Sequence, residues 1–356
     1  MATIILRKRA DGTIGYQAQI LISRDGKKPH RETKTFDREQ AAKTWAKRRE
    51  KALKLPGALE QVRAKDPKLA EVVDQYIREY ERAMGRTKAQ VLRAIKSMPM
   101  AEMRCSEIRS ADYVSMAQSL DVKPQTRANY MSHLGSIVAI ARPMWSYPLD
   151  QQAMKDAFVV CNRMGITGKS KARDRRPTLA ELDKIMQHYG DRKARRPAMM
   201  PMQKIVAFAI FSTRRQEEIC RIKWADLDEA GARILVRDMK NPGEKIGNNV
   251  WCDLPPEALA IIKSMPKVGD RIFPYSSGAI SANFTRATAF LDFPDLTFHD
   301  LRHEGVSRLF EVGVSIPRAA AVSGHRSWQS MKRYTHIRQT GDKFEDWKWL
   351  ATVTGS

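Results

Sequence analysis

The chain has 356 residues, enough for two or three domains with cores of their own, and its 42% hydrophobic content excludes disorder throughout. Its 63 Lys and Arg against 40 Asp and Glu leave a formal net charge of +23, which favours a polyanionic partner, nucleic acid first. The sequence lacks both a run of about eighteen apolar residues and the apolar core of a secretory signal, so we expect a cytoplasmic protein with no membrane partner.

The first fifty residues predict a small sheet followed by a helix. Alternating and apolar stretches predict three strands, at 4–7, 16–22 and 31–36. The helix follows over 39–51, with Asp37 as its N-cap. Because a three-stranded sheet can lie in a major groove, its candidate DNA contacts are the basic residues Arg7, Lys28 and Arg31. A structural cap with solvated charges is the alternative.

A linker with two prolines and a glycine separates this region from a helical one. An apolar stripe at intervals of three and four residues begins at Leu69 and predicts a helix. Further helices are predicted at 88–97, 109–119 and 126–141. The loop before the last of these offers Lys123 and Arg127 to DNA phosphates. We expect an N-terminal DNA-binding domain at 1–55 and an all-helical domain at 66–165.

The most basic stretch of the chain follows the helical domain. It ends at Pro177 and is poor in apolar residues. Such a connector could track a DNA backbone through five cationic side chains, Lys169, Lys171, Arg173, Arg175 and Arg176. An ordinary solvated linker is the alternative.

After this connector the pattern mixes helices with short strands. A helix starts near Thr178, and an apolar helix is predicted over 205–211. Strands are predicted at 234–236 and 249–254, and the residues at 239–247 are typical of a hairpin turn between them. Helices then resume, which predicts a mixed, mainly helical domain at 175–338. The expected fold class is therefore multidomain α+β.

Four residues near the end of the chain could meet one phosphate. His299 and Arg302 share a face if their segment is helical, since residues three apart are neighbours on a helix. Gly324-His325 follows a predicted turn, and Tyr334 lies nine residues beyond the histidine. A phenol with a pKa of about 10 is a weak nucleophile until a base takes its proton and cations stabilise the developing charge. The pattern indicates covalent chemistry on phosphate.

An earlier segment carries a second arginine motif. Arg215 and Glu218 stand three residues apart after the predicted apolar helix, and Trp224 and Asp226 follow. With the HxxR, GH and tyrosine motifs above, this order resembles the tyrosine recombinase family: lambda-type phage integrases, shufflon-type invertases and Xer-type recombinases. Their first catalytic arginine sits in a TGxRxxE pattern. This chain has Ser-Thr where the family has Thr-Gly, so the neighbouring Arg214 is an alternative.

The resemblance implies a role for each matching residue. Arg215 and Arg302 would hold the nonbridging phosphate oxygens, which suits planar, permanently charged guanidiniums. His325 would hydrogen-bond the phosphate and His299 would assist proton transfer to and from the nucleophile. Glu218 would support the site without reacting.

The nucleophile and the general acid complete the implied set. Tyr334 would attack phosphorus, leaving a 3′-phosphotyrosyl link and a free 5′-hydroxyl without metal, ATP or any cofactor. The family's lysine, which protonates the leaving oxygen, lies in a hairpin where this chain has Lys240, with Lys245 as the runner-up. We interpret His303 as structural, and His336 has no assigned role.

Other motifs give no indication of a metal or a bound nucleotide. The sequence contains neither a Walker loop, nor a GxGxxG turn, nor an HExxH helix. The cysteines lack the paired CxxC spacing of a zinc site and are read as reduced thiols: Cys105, Cys161, Cys220 and Cys252.

The resemblance further implies double-stranded DNA as the partner, gripped by the helical and catalytic domains. We expect a homo-tetramer on DNA, a monomer or weak oligomer when free, and DNA-bending or directionality factors as further partners in the nucleoid. The tail at 339–356 spaces Phe344, Trp347 and Leu350 at helical intervals. It would dock on a neighbouring protomer in trans, with packing on its own domain as the alternative.

The sheet at the N-terminus makes integration and excision of a phage or genomic island the expected reaction, because such integrases commonly carry an additional DNA-binding domain there. DNA inversion and Xer-type resolution are alternatives in the same family, and a type IB topoisomerase is a third reading. A sequence-specific DNA-binding regulator that has lost catalysis belongs to a different class, against which the intact set of site residues argues.

Overall fold

The computed structural model describes residues 2–8, 13–22, 29–55, 65–80, 84–170, 173–239 and 247–355, with Trp328 described by its backbone only. The chain divides into two compact units, Met1–Lys171 and Ala172–Ser356. The described residues form helices and two small antiparallel sheets, which confirms the predicted α+β class. Among the described residues, no helix has the length and apolar character needed to cross a membrane.

The N-terminal sheet has the three predicted strands in the order β1 (Ala2–Lys8), β2 (Ile14–Ile22) and β3 (His30–Phe36), all antiparallel. Helix α1 (Glu39–Lys54) covers one face. The small side chains of Ala18, Ala42 and Ala46 are buried together there, which lets the helix lie close to the central strand. The N-cap is Arg38, so the prediction of Asp37 was wrong by one residue.

In the described part of the first unit, five α-helices follow. They are α2 (Leu69–Glu79), α3 (Arg86–Lys96), α4 (Ser110–Ser119), α5 (Pro124–Trp145) and α6 (Gln151–Arg163). Leu69, Val72, Val73 and Tyr76 of the predicted stripe are buried, while Ile77 is exposed. We missed α6 because its buried face consists of small residues, such as Ala153 and Ala157, while Val159 is 53% exposed and breaks the apolar pattern.

The second unit contains another three-stranded antiparallel sheet. Its helices are α7 (Leu179–Arg195), α8 (Met202–Ser212), α9 (Gln216–Ile219), α10 (Pro256–Lys263), α11 (Ser277–Phe290), α12 (Phe298–Glu311), α13 (Ile316–Ser323), α14 (Trp328–Met331) and α15 (Leu350–Thr354). Its strands are β4 (Leu227–Asp228), β5 (Arg233–Val236) and β6 (Val250–Asp253). The strands at β5 and β6 confirm the two that we predicted. Of the predicted turn between them, residues 240–246 lie outside the described part of the chain.

Two buried helices position the candidate site. Nearly all of α8 is buried in the core of the second unit, and α12 packs directly against it. A Cβ at Gly305 of α12 would lie only 1.9 Å from the carbonyl oxygen of Ile210 in α8. Any other residue would therefore force the helices apart. Their close crossing lets Arg302 contact the turn that follows α8.

The C-terminal tail packs on its own unit in this single chain. Phe344 and Trp347 are buried and both rings contact the ring of Phe211 in α8. The indole N–H groups of Trp347 and Trp349 donate to one carboxylate oxygen of Asp183 at 2.9 and 3.0 Å. The tail thus takes the alternative arrangement that we considered, and docking in trans stays a prediction.

Candidate active site

The turn after α8 directs two adjacent arginines in different directions. Thr213 ends the helix in the left-handed region, with φ of 56°, where the family pattern has glycine. Arg214 is then buried and donates to the carbonyl oxygens of Ser212 and Val322. Arg215 keeps 29% of its side chain exposed. Since its guanidinium is the more accessible of the two, this geometry supports Arg215 as the residue that meets a substrate.

The carboxylate of Glu218 lies close to both arginines. Its carboxylate accepts from Nη1 of Arg215 at 2.8 Å and from the Arg215 backbone N–H at 3.1 Å, and it lies 3.7 Å from Nη1 of Arg214. Burial by itself would raise the pKa of Glu218, but the charges of Arg214, Arg302 and Arg215 lower it below its ordinary value. The cluster therefore combines three guanidiniums with one carboxylate and suits an anion.

Arg302 reaches this cluster from the middle of α12. It is buried, and its guanidinium donates to the carbonyl oxygens of Thr213 and Ser323. Burial, followed by the charges of Arg215 and Arg214, lowers its pKa to about 9. Arg302 is still a cation at neutral pH, so the cluster retains its positive charge.

His325 lies next to Arg302 in a defined orientation. Its Nε2 is 3.1 Å from Nη2 of Arg302, and its Nδ1 is 2.7 Å from Oγ of Ser323. Because the guanidinium can only donate, Nε2 accepts and Nδ1 carries the proton. Burial, then the charges of Arg302, Arg215 and Arg214, lowers the pKa of His325 to about 3, so the ring is neutral.

The backbone conformation at position 324 requires a glycine before this histidine. Its φ of 69° is in the left-handed region, where a side chain is strained. A Cβ there would also lie 2.7 Å from Cε of Met239 and 3.3 Å from Nη1 of Arg214. The Gly-His pair thus lets the chain turn tightly over the arginine cluster. Met239, which opens the predicted hairpin, therefore borders the site.

Tyr334 is buried at the end of a single turn of 3₁₀ helix, Lys332–Tyr334. Its hydroxyl lies 2.8 Å from Nδ1 of His303, and its ring stacks on Phe310 with 13° between the planes. Burial raises the pKa of Tyr334 above 10.0, although Arg333 and Arg302 partly offset this effect. The phenol is thus neutral at physiological pH and requires a base before it can attack.

His303 is the functional candidate that the sequence reasoning missed, since we had interpreted it as structural. It lies four residues after His299 on α12, and the two rings meet edge to face at 5.0 Å between centroids. His299 itself is exposed. The spacing of four residues places both rings on one helix face. From this spacing alone, the sequence could have indicated that His303 lies beside His299 of the HxxR motif.

Several of the predicted site residues lie outside the described residues. These are Lys28 in the N-terminal sheet, Lys171 in the connector, and Lys240 with its runner-up Lys245 in the hairpin. Their roles remain predictions from the sequence and its resemblance.

The connector arginines pair with carboxylates of their own unit. Arg173 donates to Asp300 at 2.7 and 2.8 Å, and Arg176 donates to Glu304 at 2.9 and 3.2 Å. Both carboxylate side chains are fully buried. Arg175 forms ion pairs with Glu181 and Asp295. This connector is therefore anchored on α12 and α7, a pairing that the acidic residues four apart in α12 could have signalled.

The remaining candidate DNA contacts belong to the first unit. Arg7 and Arg31 lie on exposed positions of the sheet, and Arg31 donates to Gln19 at 3.1 Å. Lys123 and Lys169 are exposed. Arg127 is half-buried and donates to the carbonyl oxygen of Leu120 at 3.0 Å, so this guanidinium also shapes its own loop.

Part of this chain matches known proteins. Residues 176–340 match the model of the phage integrase family. Over 171 residues the chain is 32% identical to the shufflon-specific DNA recombinase of Escherichia coli, a match that covers 48% of this chain and 42% of that protein. The chain thus spans less than half the length of this relative.

Solved structures show the same fold at low identity. The Tn1549 transposon integrase in complex with a circular intermediate DNA superposes with a TM-score of 0.60 at 13% identity, over 76% of this chain and 95% of that one. A lambda integrase dimer bound to a COC′ core site gives 0.52 at 19% identity, over 96% of both chains. These matches agree with the resemblance seen in the motifs: residues 176–340 match the phage integrase family, and the chain has the fold of the solved integrases.

Proposed function

We propose that this protein is a site-specific recombinase that integrates and excises a phage or genomic island by cleaving and rejoining DNA strands. The observation that carries the proposal is the phenol of Tyr334 in a site whose charge comes from Arg214, Arg215 and Arg302. Burial raises the pKa of Tyr334, and the nearby positive charges of Arg333 and Arg302 oppose that effect. The match of residues 176–340 to the phage integrase family supports the same reaction.

The proposed reaction begins with a DNA phosphate on the arginine cluster. Arg215 and Arg302 hold its nonbridging oxygens, where preorganised cations stabilise the charge that develops in the transition state. His325 donates a further hydrogen bond once its ring proton is on the nitrogen that faces the phosphate. Glu218 keeps Arg215 in place through the contact at 2.8 Å.

Tyr334 then attacks phosphorus and forms a 3′-phosphotyrosyl bond, while the bond to the 5′-oxygen breaks. The 5′-oxygen takes a proton from Lys240, the residue assigned by resemblance, and His299 assists proton transfer at the nucleophile. A 5′-hydroxyl from a second strand reverses these steps. The ester preserves the bond energy, so rejoining requires no nucleotide and no metal.

Double-stranded DNA is the proposed partner, bound by three domains at 1–55, 66–165 and 175–338. The solved structures of the Tn1549 and lambda integrases are complexes with DNA, which supports this partner for a chain of the same fold. Exposed basic residues of the first unit, Arg7, Arg31, Lys123 and Lys169, supply contacts to phosphates. We propose a homo-tetramer on DNA, with DNA-bending or directionality factors, acting in the nucleoid of the cytoplasm. The tail at 339–356 would then dock in trans.

A nicked suicide duplex tests the proposed function. Duplexes tiling the DNA on both sides of the gene are nicked so that cleavage releases a short oligonucleotide and traps the covalent protein–DNA adduct. We expect an adduct with the wild type and none with Tyr334→Phe. Tyr275→Phe is the matched control, because Tyr275 is another half-buried tyrosine of the same unit whose pKa is also raised by burial. Specific binding without any wild-type adduct would instead indicate a DNA-binding regulator, and site-independent relaxation of supercoils a topoisomerase.

DNA inversion is the second candidate function, favoured by the 32% identity with the shufflon-specific recombinase. A pair of plasmids separates the two reactions. One carries two copies of the cleaved site in inverted orientation, and the other carries a single copy together with a donor circle that bears the partner site. Inversion of the first plasmid without uptake of the donor circle would replace integration as the reaction.

A further inference from the structure

Among the described residues, the hydroxyl of Tyr334 forms its hydrogen bond with the imidazole of His303. The two atoms, Oη and Nδ1, are 2.8 Å apart, within the distance at which a general base takes a proton. His303 is held for this contact by its place on α12, next to the buried Arg302. The nucleophile comes from a different segment of the chain, 31 residues later.

We propose that His303 is a catalytic residue, the general base that takes the proton of Tyr334 during strand cleavage and returns it during rejoining. This inference rests on the proposed function. In cleavage, the phenol oxygen forms its bond to phosphorus as the O–H proton moves to Nδ1 of His303. The bond from phosphorus to the 5′-oxygen breaks with its electron pair, and that oxygen is protonated by a separate acid. In rejoining, the imidazolium returns the proton to the leaving phenolate.

The surroundings of His303 keep it in the form that can accept a proton. Burial, followed by the charges of His299 and Arg333, lowers its pKa to about 4, so the ring is neutral at physiological pH. The groups that face it are His299, Asp300 and Arg302 from its own helix, and Arg333 and Tyr334 from the nucleophile's segment. Asp300 opposes the lowering, and a bound phosphate would add negative charge on the same side.

His299 remains close enough to share this task. Its ring meets His303 edge to face, so His299 contacts the proposed base while His303 contacts the phenol. We therefore assign the direct proton transfer to His303 and a supporting position to His299. This order reverses the two roles that the resemblance implies.

The variant His303→Asn separates a base from a residue that only positions the phenol. The Asn side-chain oxygen replaces Nδ1 as a hydrogen-bond acceptor but has no comparable basicity. With the suicide duplex, single-turnover cleavage at pH 7 is expected to fall 100-fold or more, within the range of roughly 10²–10⁴ for general bases. His336→Asn, an exposed histidine of the same segment, is the matched control.

The pH profile and a modified substrate give independent readouts. Wild-type cleavage is expected to be flat from pH 6 to 8, since the base is already neutral there. His303→Asn should instead gain about tenfold in rate per pH unit from pH 7 to 9, because hydroxide must then form the phenolate. A duplex with a 5′-bridging sulfur needs no general acid, so it should leave the His303→Asn defect in place.

The outcomes separate this inference from the proposed function. A wild-type adduct with unchanged cleavage by His303→Asn would overturn the assignment of the base alone. Faster cleavage by His303→Asn would also overturn it and show that His303 holds the phenol in a resting position. Failure of the wild type to form an adduct on any tiled duplex would overturn the proposed function and the base together. Retained DNA binding by the variant verifies that it is folded.

Discussion

Nη2 of Arg302 lies 3.1 Å from Nε2 of His325, so the arginine determines which nitrogen of the imidazole carries the proton. The Nδ1–H then donates to Ser323 Oγ, whose own hydroxyl lies 3.9 Å from the sulfur of Met331. This chain of contacts holds His325 over the arginine cluster. It also means that the ring must change its tautomer before Nε2 can donate to a phosphate.

Removing the partner of Nδ1 should weaken this arrangement. We expect Ser323→Ala to cost about 1 kcal/mol, a roughly fivefold loss in cleavage rate, because one buried hydrogen bond is lost. Ring ¹⁵N shifts should show Nδ1 protonated in the free wild type. Ser315→Ala is the control, since Ser315 is exposed and its side chain makes no cap hydrogen bond. A wild-type ring protonated at Nε2 would contradict the assignment.

The half-buried imidazoles of His303 and His325 should make stability fall in mild acid. The pKa of His325 is lowered to about 3 and that of His303 to about 4, chiefly by burial, from 6.5 in the unfolded chain. Below pH 6.5 the unfolded state binds protons that the folded state does not, so stability is complete above this pH and declines toward pH 4.

Thermal unfolding as a function of pH checks this expectation. Between pH 7 and 5 the melting temperature of the wild type should fall further than that of a double variant, His303→Gln with His325→Gln. The acidic groups with lowered pKa, such as Glu218 and Asp300, titrate below this window and do not obscure it. His336→Gln should behave as the wild type, and parallel curves for all three proteins would refute the prediction.

The ion pair between Arg173 and Asp300 should stabilise the second unit. Arg173→Ala leaves a fully buried carboxylate without its cation, which we expect to cost about 2 kcal/mol at pH 7. Burial would raise the pKa of Asp300, but the hydrogen bonds from Arg173 and Thr297 lower it below 3.8. The stabilisation is therefore present above pH 3.8 and lost as pH falls through the folded value.

Denaturant unfolding of the Arg173 variant measures this effect. The difference from wild type should shrink below pH 4, as the carboxylate becomes protonated. Arg286→Ala removes an exposed arginine of α11 and serves as the control. If Arg173→Ala weakened DNA binding with no loss of stability, the residue would be a DNA contact and not an anchor of the connector.

Asp183 should hold the C-terminal tail on its own unit. Asp183→Ala leaves two indole N–H groups, those of Trp347 and Trp349, without their acceptor, at a cost of about 1–3 kcal/mol. We expect a lower melting temperature and faster proteolysis within the tail. Asp191→Ala is the matched control on the same helix, because Asp191 accepts only an exposed bond from Gln187. Equal proteolysis of both variants would show that the tail is undocked in solution.

The crossing of α8 and α12 should tolerate no side chain at Gly305. The methyl of Gly305→Ala would meet the carbonyl oxygen of Ile210 at 1.9 Å, so we expect a loss of about 3 kcal/mol or more. Gly278→Ala is the control, since a Cβ at that helical glycine meets nothing within 4 Å. It should leave stability equal or slightly higher. Soluble, fully active Gly305→Ala would contradict the observed crossing.

Local sequence patterns were sufficient for most elements and for the order of the motifs. Strands of the first sheet, the apolar helix before Arg215 and the start of α7 all follow from periodicity and capping, with Thr178 accepting from the N–H of Glu181 as expected. These features depend on neighbours a few residues apart. Helix α6 was not predicted because its small buried residues produce only a weak hydrophobic periodicity.

The sequence by itself determined the basic character of the protein, its α+β class and the order of the motifs that resemble those of the tyrosine recombinases. Only the tertiary structure decided which arginine faces inward, that His303 contacts the phenol, and that the connector cations meet buried carboxylates. The reason is physical. Each of these facts depends on the direction of a side chain or on contacts between segments distant in the chain, such as the 31 residues between His303 and Tyr334.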